Sequence, residues 1–287
     1  MIEPYLRKAL DYLKNTIKVS IVEARTHKGV ILQGLENNPK TIDAIAVYMV
    51  ALIANAIEDN LKICDDLLSE GKSGVIDLKN SLIEIIGDSN ELPEAFIQEE
   101  RNPWLAEALN HLVLYLSTEL TEIHPPGQIY VMGNVHDDPK DKGIDITALY
   151  HCQTIGLTIS ECKAYKLNPN KAISDASSYF LEIDGGGILG RRIRTRVQAM
   201  RNFLPENLRN QATNGFWKKE RCFLPFLVFD ATESKDWRRA RPALNKLPTP
   251  PDRRIIIPIQ IRDFDLFFNN LSNSMRNFAE RLEHEFV

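Results

Sequence analysis

The sequence predicts an α/β protein, in which a mixed central β-sheet is flanked by helices and preceded by a helical N-terminal region. Two observations predict this class. Apolar residues recur at three- and four-residue steps through the first third of the chain, and strand-like and helix-like segments alternate after it. A chain of 287 residues can hold one large domain or two ordinary ones. We place a boundary near residue 95, which separates a helical region, 1–95, from a second domain, 96–287.

The composition is that of a folded protein with one basic sector. Hydrophobic residues make up 44% of the chain and charged residues 26%, which excludes a disordered chain. The net charge of −4 argues against a general polyanion binder, but the charge is uneven. Between Arg191 and Arg254 there are 16 Lys and Arg against 6 Asp and Glu.

The N-terminus and the cysteines indicate the compartment. The first residues lack the cationic start and apolar run of a secretory signal. The most apolar stretch, Ala44–Ile57, is shorter than the roughly 20 residues that cross a bilayer and predicts a core helix. Cys64, Cys152, Cys162 and Cys222 form no CxxC pair. We expect a cytoplasmic protein with no membrane partner.

The first region is predicted to be helical from Pro4 to about Leu92. Its apolar stripes are Leu6, Leu10, Leu13 and Ile17, then Ile42, Ile45, Met49, Ile53 and Ile57. Beyond the boundary, Asn102-Pro103 predicts the start of another helix, with Asn102 as N-cap and proline at the first helical position.

Three strands and a helix are predicted next. Gln128–Met132 has strand composition. Ile144–Tyr150 and Thr154–Ala164 follow, and the short connection between them predicts an antiparallel hairpin. Asn168-Pro169 then predicts the start of a helix that ends at the glycines from Gly185.

The last third is predicted to add two helices and two strands. A helix spans about Arg191–Leu204, and the apolar run Phe223–Phe229 predicts a strand buried on both faces. Arg253–Ile261 predicts a further strand, placed at an edge because Pro258 cannot donate to a ladder. The last helix is predicted at Leu266–Phe286.

Two acids and a lysine are predicted to meet at the open end of the hairpin. Glu161 and Lys163 lie two residues apart on one strand, so their side chains project to the same side, and Cys162 points away. Asp145 begins the preceding strand and therefore lies opposite the end of the second. Alone, an acid-x-base pair is most often a solvated ion pair. The apolar flanks and the upstream acid favour a catalytic group.

These residue types fit phosphodiester cleavage. The carboxylates of Asp145 and Glu161 suit Mg²⁺ or Mn²⁺, and the main-chain carbonyl of Cys162 could add a ligand. The ion would polarise a phosphoryl oxygen and lower the pKa of a bound water. Lys163 would steady the developing negative charge.

The segment Gly143-Ile144-Asp145 followed by Glu161-Cys162-Lys163 resembles the signature of the PD-(D/E)XK, or restriction-endonuclease-like, nucleases. The resemblance covers roughly residues 102–184. It implies a small mixed sheet flanked by helices, cleavage of DNA with a divalent metal, Asp145 and Glu161 as metal ligands and Lys163 as the catalytic lysine. Ile144 stands where the family's proline would be.

The resemblance also implies a glutamate on the helix before the first strand of the motif, and Glu107 is the candidate. Its alternative is a solvated helix face, because Glu107 lies opposite the stripe that contains Leu105 and Leu109. Some relatives carry Gln-x-x-x-Tyr on the helix after the lysine strand. Here the glutamine is replaced by Asp175, to which we assign no role, and Tyr179 is expected in the core.

Other polar residues near the motif are weaker candidates. Asp137, Asp138 and Asp141 could replace Asp145 as a metal ligand, although acids in turns are commonly solvated. His136 and His151 are expected to be structural and stay outside the predicted site.

The basic sector predicts a nucleic-acid contact. Its candidates are Arg191, Arg192, Arg194 and Arg196 on one helix, and Lys218 and Lys219 next to Trp217. Basic side chains would bind phosphates, and aromatic rings would stack on bases. The alternative is a solvated helix face.

The expected function is that of a Mg²⁺- or Mn²⁺-dependent nuclease acting on DNA. The layout is similar to the nuclease subunit of Hachiman-type anti-phage systems, which implies a defence effector with a helicase or another defence subunit as partner. The alternatives are a type II restriction endonuclease acting alone and a non-catalytic DNA-binding or assembly module. The chain could also form a homo-oligomer.

Overall fold

A computed structural model describes residues 2–64, 67–123, 125–141, 143–212, 215–233 and 235–285. The helices are α1 (Glu3–Thr16), α2 (Pro39–Ile53), α3 (Lys72–Ile86), α4 (Glu94–Phe96), α5 (Asn102–Leu116), α6 (Pro169–Asp184), α7 (Gly187–Arg201), α8 (Glu206–Arg209), α9 (Phe216–Lys219), α10 (Pro242–Asn245) and α11 (Phe264–Glu285). A π-helical turn, Ile97–Arg101, joins α4 to α5. Short 3₁₀ turns lie at Leu67–Glu70, Thr121–Ile123 and Pro251–Arg253.

The strands are β1 (Lys18–Glu23), β2 (Lys28–Gln33), β3 (Gln128–Met132), β4 (Ile146–His151), β5 (Ile155–Ala164), β6 (Arg221–Asp230) and β7 (Ile255–Ile261). They form one sheet in the order β1-β2-β7-β6-β5-β4-β3. Pairing is parallel from β2 through β7 and β6 to β5, and antiparallel at both ends. The predicted fold class, a mixed sheet flanked by helices, is therefore confirmed.

Helices cover both faces of the sheet. On one face α1, α2, α3, α5 and α11 enclose the larger hydrophobic core, and on the other α6 and α7 cover a smaller one. Every residue of β6 is buried, as its unbroken apolar run predicts. Within the described residues, no helix combines the length and apolar character needed to cross a membrane.

The prediction of an entirely helical N-terminal region is wrong for the chain between α1 and α2. This segment forms the antiparallel hairpin of β1 and β2, and β2 pairs in parallel with the start of β7. The larger core also joins residues from both sides of position 95. Neither the sheet nor that core is divided there.

Two other local predictions are wrong. Asn102 is not an N-cap, because the chain is already helical before it and its own backbone is in the α conformation. β7 is not an edge strand, since it lies between β2 and β6. Pro258 is tolerated because the pairing of β2 ends at Ile256, so no ladder with β2 needs its missing N–H.

The helices that frame the motif match their predictions closely. α6 begins at Asn168-Pro169, as predicted, and Asn168 caps it by accepting a hydrogen bond from the main chain of Lys171. The helix predicted from about Arg191 begins four residues earlier, at Gly187. The last helix begins at Phe264, and its predicted end, Phe286, lies outside the described residues.

Candidate active site

The β4–β5 hairpin brings Asp145 to the end of β5. Ile146 pairs with Ser160, so the residue before β4 lies beside the segment that follows Ser160. Asp145 Oδ2 accepts a hydrogen bond of 2.6 Å from the main-chain nitrogen of Cys162. This bond fixes the carboxylate at the open end of the hairpin, where the sequence predicts it.

Glu161 and Lys163 form an ion pair in the same place. Lys163 Nζ lies 2.5 Å from Glu161 Oε1, and their side chains are 22% and 6% exposed. The other oxygen, Glu161 Oε2, is buried and has no hydrogen-bond partner. A buried carboxylate oxygen without a hydrogen-bond donor is energetically costly, so the binding of a cation or a proton at this atom would be favourable.

Glu107 is buried, and the alternative of a solvated helix face is therefore wrong. Nearly all of α5 is buried, because the helix lies between the sheet and α2. Glu107 Oε1 accepts a hydrogen bond of 2.9 Å from the main-chain nitrogen of His136, and Oε2 lies 3.1 Å from Nδ1 of the same residue. Both carboxylate oxygens thus hold one histidine.

His136, predicted to be structural, lies within the candidate site. Its carbonyl accepts a hydrogen bond of 2.8 Å from Trp104 Nε1, which ties the loop after β3 to α5. One ligand atom each from Glu107, His136 and Asp145 lies within 4.8 Å of the others, an arrangement that could hold a metal ion. No spacing in the sequence links the three, so only the packing of the loop against α5 reveals the group.

A cavity of about 410 Å³ opens onto this group. Its lining includes Trp104, Glu107, His136, Asp145 and Lys163. Asp141 also lines it, whereas Asp138 accepts a hydrogen bond from the main chain of Lys140, as turn acids commonly do. The alternative acids of this loop are not part of the metal-binding group found among the described residues.

Burial shifts the pKa values of the acids upward. Burial, then the charge of Glu107, raises the pKa of Asp145 to about 7, although Lys163 opposes the shift. Burial, then the charge of Asp145, raises the pKa of Glu161 to about 8. A bound divalent cation would reverse this, because it stabilises the charged carboxylates.

The bases of the site stay protonated more readily than usual. Burial alone would lower the pKa of Lys163, but the charges of Glu161 and Asp145 outweigh it and raise that pKa. The same balance holds at His136, where Glu107 raises the pKa against the effect of burial. At neutral pH Lys163 is therefore an ammonium ion.

Two helices hold the main chain just before Asp145. Tyr179 on α6 donates a hydrogen bond from its hydroxyl to the carbonyl of Gly143. Arg196 on α7 donates to the carbonyl of Ile144 at 2.5 Å. Tyr179 packs against the smaller core, as predicted, and its hydroxyl also holds the main chain of the site. Arg196 is half-buried, and its guanidinium is bound to the protein's own backbone. Its geometry therefore does not support the predicted contact with nucleic acid.

The other predicted nucleic-acid contacts fall into two groups. Arg191, Arg192 and Arg194 are exposed on α7, whose Arg196 contacts the active-site segment. Lys218 and Lys219 are exposed on α9, which leads into the opposite end of the sheet. β6 begins beside Leu157, four residues from Glu161 and therefore about 13 Å away along β5. The two lysines are thus remote from the site.

Cys162 contributes its main chain here. Its thiol is bonded elsewhere, because Asn110 Nδ2 lies 3.2 Å from Sγ and also donates to Ser160 Oγ at 2.7 Å. The carbonyl of Cys162 as a metal ligand stays a prediction.

Comparison with protein families finds no family model that matches the chain, and no curated protein matches it significantly.

Proposed function

We propose that this protein is a metal-dependent nuclease that hydrolyses phosphodiester bonds in DNA, with Asp145, Glu161 and Lys163 at its centre. The observation that supports this proposal most is the buried oxygen Glu161 Oε2, which has no hydrogen-bond partner. It lies beside the ammonium group of Lys163 and near Asp145, whose carboxyl pKa is also raised. Such a cluster adds little to stability, because replacement of buried ionic groups by apolar residues is often neutral or stabilising, and carboxylates with shifted pKa values cluster at functional sites.

The donor set fits Mg²⁺ or Mn²⁺. Asp145 offers a hard carboxylate oxygen within the group that it forms with Glu107 and His136, and the imidazole nitrogen of His136 suits Mn²⁺ better than Mg²⁺. Glu161 is not part of that group, and we propose that its free oxygen adds a second carboxylate ligand from beside it. Glu107 is engaged with His136 through both oxygens, so its first task is to orient that ring. A bound ion would polarise the phosphoryl oxygen and lower the pKa of a coordinated water.

The chain's own residues then bind and stabilise the reacting phosphate. Lys163 is held by Glu161 and lines the cavity as an ammonium ion, so it contributes positive charge to the developing phosphorane rather than acting as a base. Since Glu107 holds Nδ1 of His136, the atom left for a ligand is Nε2. Trp104 and Glu107 hold the main chain of His136, and Glu107 also holds its ring, while substrate enters.

DNA is the proposed substrate because exposed arginines lie on the helix that holds the active-site segment. Arg191, Arg192 and Arg194 give α7 a basic surface in an otherwise acidic protein. Arg192 Nη1 would lie 3.8 Å from a Cβ atom built on Gly143, which places that arginine close to the site. These contacts would bind phosphates without selecting sequence.

Within this proposal, the biological setting is bacterial defence against phage, with a helicase or similar subunit as partner. A helicase gene beside the gene for this chain supports that setting. A neighbouring DNA methyltransferase gene instead supports a restriction enzyme that acts alone.

The activity is tested with purified protein, supercoiled plasmid DNA and either Mg²⁺ or Mn²⁺. Wild type is expected to nick or linearise the plasmid, and Glu161→Ala and Lys163→Ala are expected not to. Glu84→Gln on α3 removes an exposed carboxylate away from the site and serves as the control. Metal binding is measured in parallel by calorimetry. A wild type that neither cuts DNA nor binds either metal would refute the proposal, and one that binds metal without cutting would favour a non-catalytic module.

A further inference from the structure

A second cavity, of about 610 Å³, lies next to the candidate active site. It is bounded by the π-helical turn before α5, by the end of β5 and by the start of α11. Its lining includes Arg101, Asn102, Tyr165, Lys166, Lys171 and Asn269. π-helical turns inside helices are rare and occur frequently at functional sites.

Arg101 is the unusual residue of this cavity. Its side chain is 1% exposed, and Nη1 has no hydrogen-bond partner. Nε donates only to Asn102 Oδ1, at 3.0 Å. Among the described residues, no carboxylate forms an ion pair with it. A buried guanidinium without a counter-ion is costly, because its desolvation is not offset by an ion pair. An anion in the cavity would remove much of that cost.

A second unpartnered atom lines the same cavity. Asn269 Oδ1 on α11 is buried and accepts no hydrogen bond. Arg101 therefore lacks an acceptor and Asn269 lacks a donor. A nucleotide of a DNA strand supplies both, since phosphate oxygens accept hydrogen bonds and base amino groups donate them.

The cavity continues from the candidate active site. Glu99 lines both cavities, and β5 passes from one to the other, with Lys163 in the first and Ala164 in the second. Lys166 follows three residues after Lys163 and so lies within about 10 Å of it along the chain. A strand whose scissile phosphate lies at Lys163 would thus place its adjoining nucleotide here.

We propose that this cavity binds the nucleotide next to the scissile phosphate, with the guanidinium of Arg101 on the phosphate and the ring of Tyr165 beside the base. The inference rests on the proposed nuclease function and deepens it. Tyr165 is fixed by a 2.9 Å hydrogen bond from its hydroxyl to Asp175, and its ring also faces Lys171. Base stacking on an aromatic ring is tolerant of sequence.

The acids of the lining do not cancel this attraction. Glu94, Glu99 and Asp265 also line the cavity. Asp265 is paired with Lys166, and Glu94 accepts a hydrogen bond from Gln98. Glu94 and Asp265 act on Arg101 only through space, and among the described residues neither they nor Glu99 forms an ion pair with its guanidinium. A buried charge acts more strongly than an exposed one because it is less screened.

Binding is measured without cleavage, in a chelating buffer, by the fluorescence anisotropy of a short labelled single-stranded DNA. Arg101→Met is expected to weaken binding about tenfold or more, as loss of a charge-assisted contact of 1.4 kcal/mol or more would do. Arg25→Met removes an exposed arginine in the β1–β2 turn and should change affinity little. Inorganic phosphate should raise the melting temperature of wild type but not of Arg101→Met.

Each outcome bears on one of the two proposals. If Arg101→Met binds the DNA as wild type does and its melting temperature falls sharply, Arg101 is structural and the subsite is wrong, even where wild type cuts plasmid. If wild type cuts nothing but binds the DNA through Arg101, the subsite stands and the nuclease proposal fails. If phosphate alone protects wild type while DNA affinity is the same in both proteins, the cavity binds a free anion and the inference of a strand is overturned.

Discussion

Glu107 holds His136 through both carboxylate oxygens, one on the main-chain nitrogen and one on Nδ1. The two residues are 29 positions apart and come from a helix and a loop. The pair presents Nε2 of the imidazole toward the segment before Asp145, where a Cβ atom on Gly143 would lie only 2.9 Å from it. A carboxylate that orients a histidine in this way commonly raises the basicity of a metal ligand.

Glu107→Gln should therefore weaken metal binding without unfolding the protein. The amide can accept only with its oxygen, so one of the two contacts to His136 is lost. We expect the affinity for Mn²⁺ to fall about 10- to 100-fold, measured by calorimetry. Glu100→Gln, which changes a nearby acid bonded only at 3.6 Å to Lys140, is the control. Equal Mn²⁺ affinities in wild type and Glu107→Gln would contradict the role of this pair.

Lys163→Ala should abolish most DNA cleavage and leave metal binding intact. The ammonium group stabilises charge that develops on the phosphate, and loss of one such donor costs about 10²- to 10³-fold in turnover. Single-turnover cleavage and calorimetry with Mn²⁺ separate the two effects. Lys8→Ala, an exposed lysine of α1, controls for the loss of charge. Loss of metal affinity in parallel with turnover would instead make Lys163 a structural partner of Glu161.

The metal-free protein should lose stability as pH rises, and Glu161→Gln should lose less. Burial and the charge of Asp145 raise the pKa of Glu161 from its ordinary 4.5 to about 8. The folded state therefore keeps a proton that the unfolded chain releases above pH 4.5. The corresponding stability is complete below pH 4.5 and disappears as pH rises through 8.

This pH dependence is measured by urea unfolding in a chelating buffer. Between pH 5 and pH 8.5 the free energy of unfolding of wild type should fall, relative to Glu161→Gln, by an amount on the order of 1 kcal/mol or more. Mn²⁺ should restore wild type but not the variant at the higher pH. Parallel curves for the two proteins would show that Glu161 does not carry the shift.

His111 should limit stability in acid. It is buried on α5, its Nδ1 lies 2.8 Å from the hydroxyl of Tyr48, and burial lowers its pKa to about 3. Below about pH 6.5 this histidine is protonated in the unfolded chain but stays neutral in the folded protein. The free energy of unfolding therefore decreases as pH falls from 6.5 toward 3. By pH 5 this loss should reach about 2 kcal/mol. His111→Gln should flatten the profile in urea unfolding, and an unchanged slope would exclude this group as its cause.

Removal of residues 1–95 should not leave a folded nuclease domain. The deletion takes away β1 and β2, exposes the edge of β7 and uncovers the core face to which α2 contributes Tyr48 and Met49. We expect aggregation, or loss of the cooperative thermal transition followed by circular dichroism. A soluble fragment with a cooperative transition would instead confirm the boundary near residue 95.

Local patterns predict much of the fold, because the spacing of apolar residues that distinguishes a helix from a strand is visible within a few neighbouring residues. The β4–β5 hairpin follows from two strand-like runs with a short connection. The prediction missed β1 and β2, although Lys18–Glu23 is rich in β-branched residues, because the apolar spacing on either side of it is helical. The prediction that Pro258 marks an edge strand is also wrong. A proline can lie inside a sheet where the neighbouring strand ends before it, and the sequence does not show where the pairing of β2 ends.

What the sequence determined by itself is the pairing of Asp145 with the end of β5 and the shared face of Glu161 and Lys163, because strand alternation and a short turn leave little freedom. Tertiary structure alone decided that Glu107 is buried against His136, that Lys218 lies far from the site and that Arg101 faces a cavity without a counter-ion. These relationships depend on how a loop and a helix pack across the sheet. Such packing is selected by the burial of the whole core, which no local period encodes.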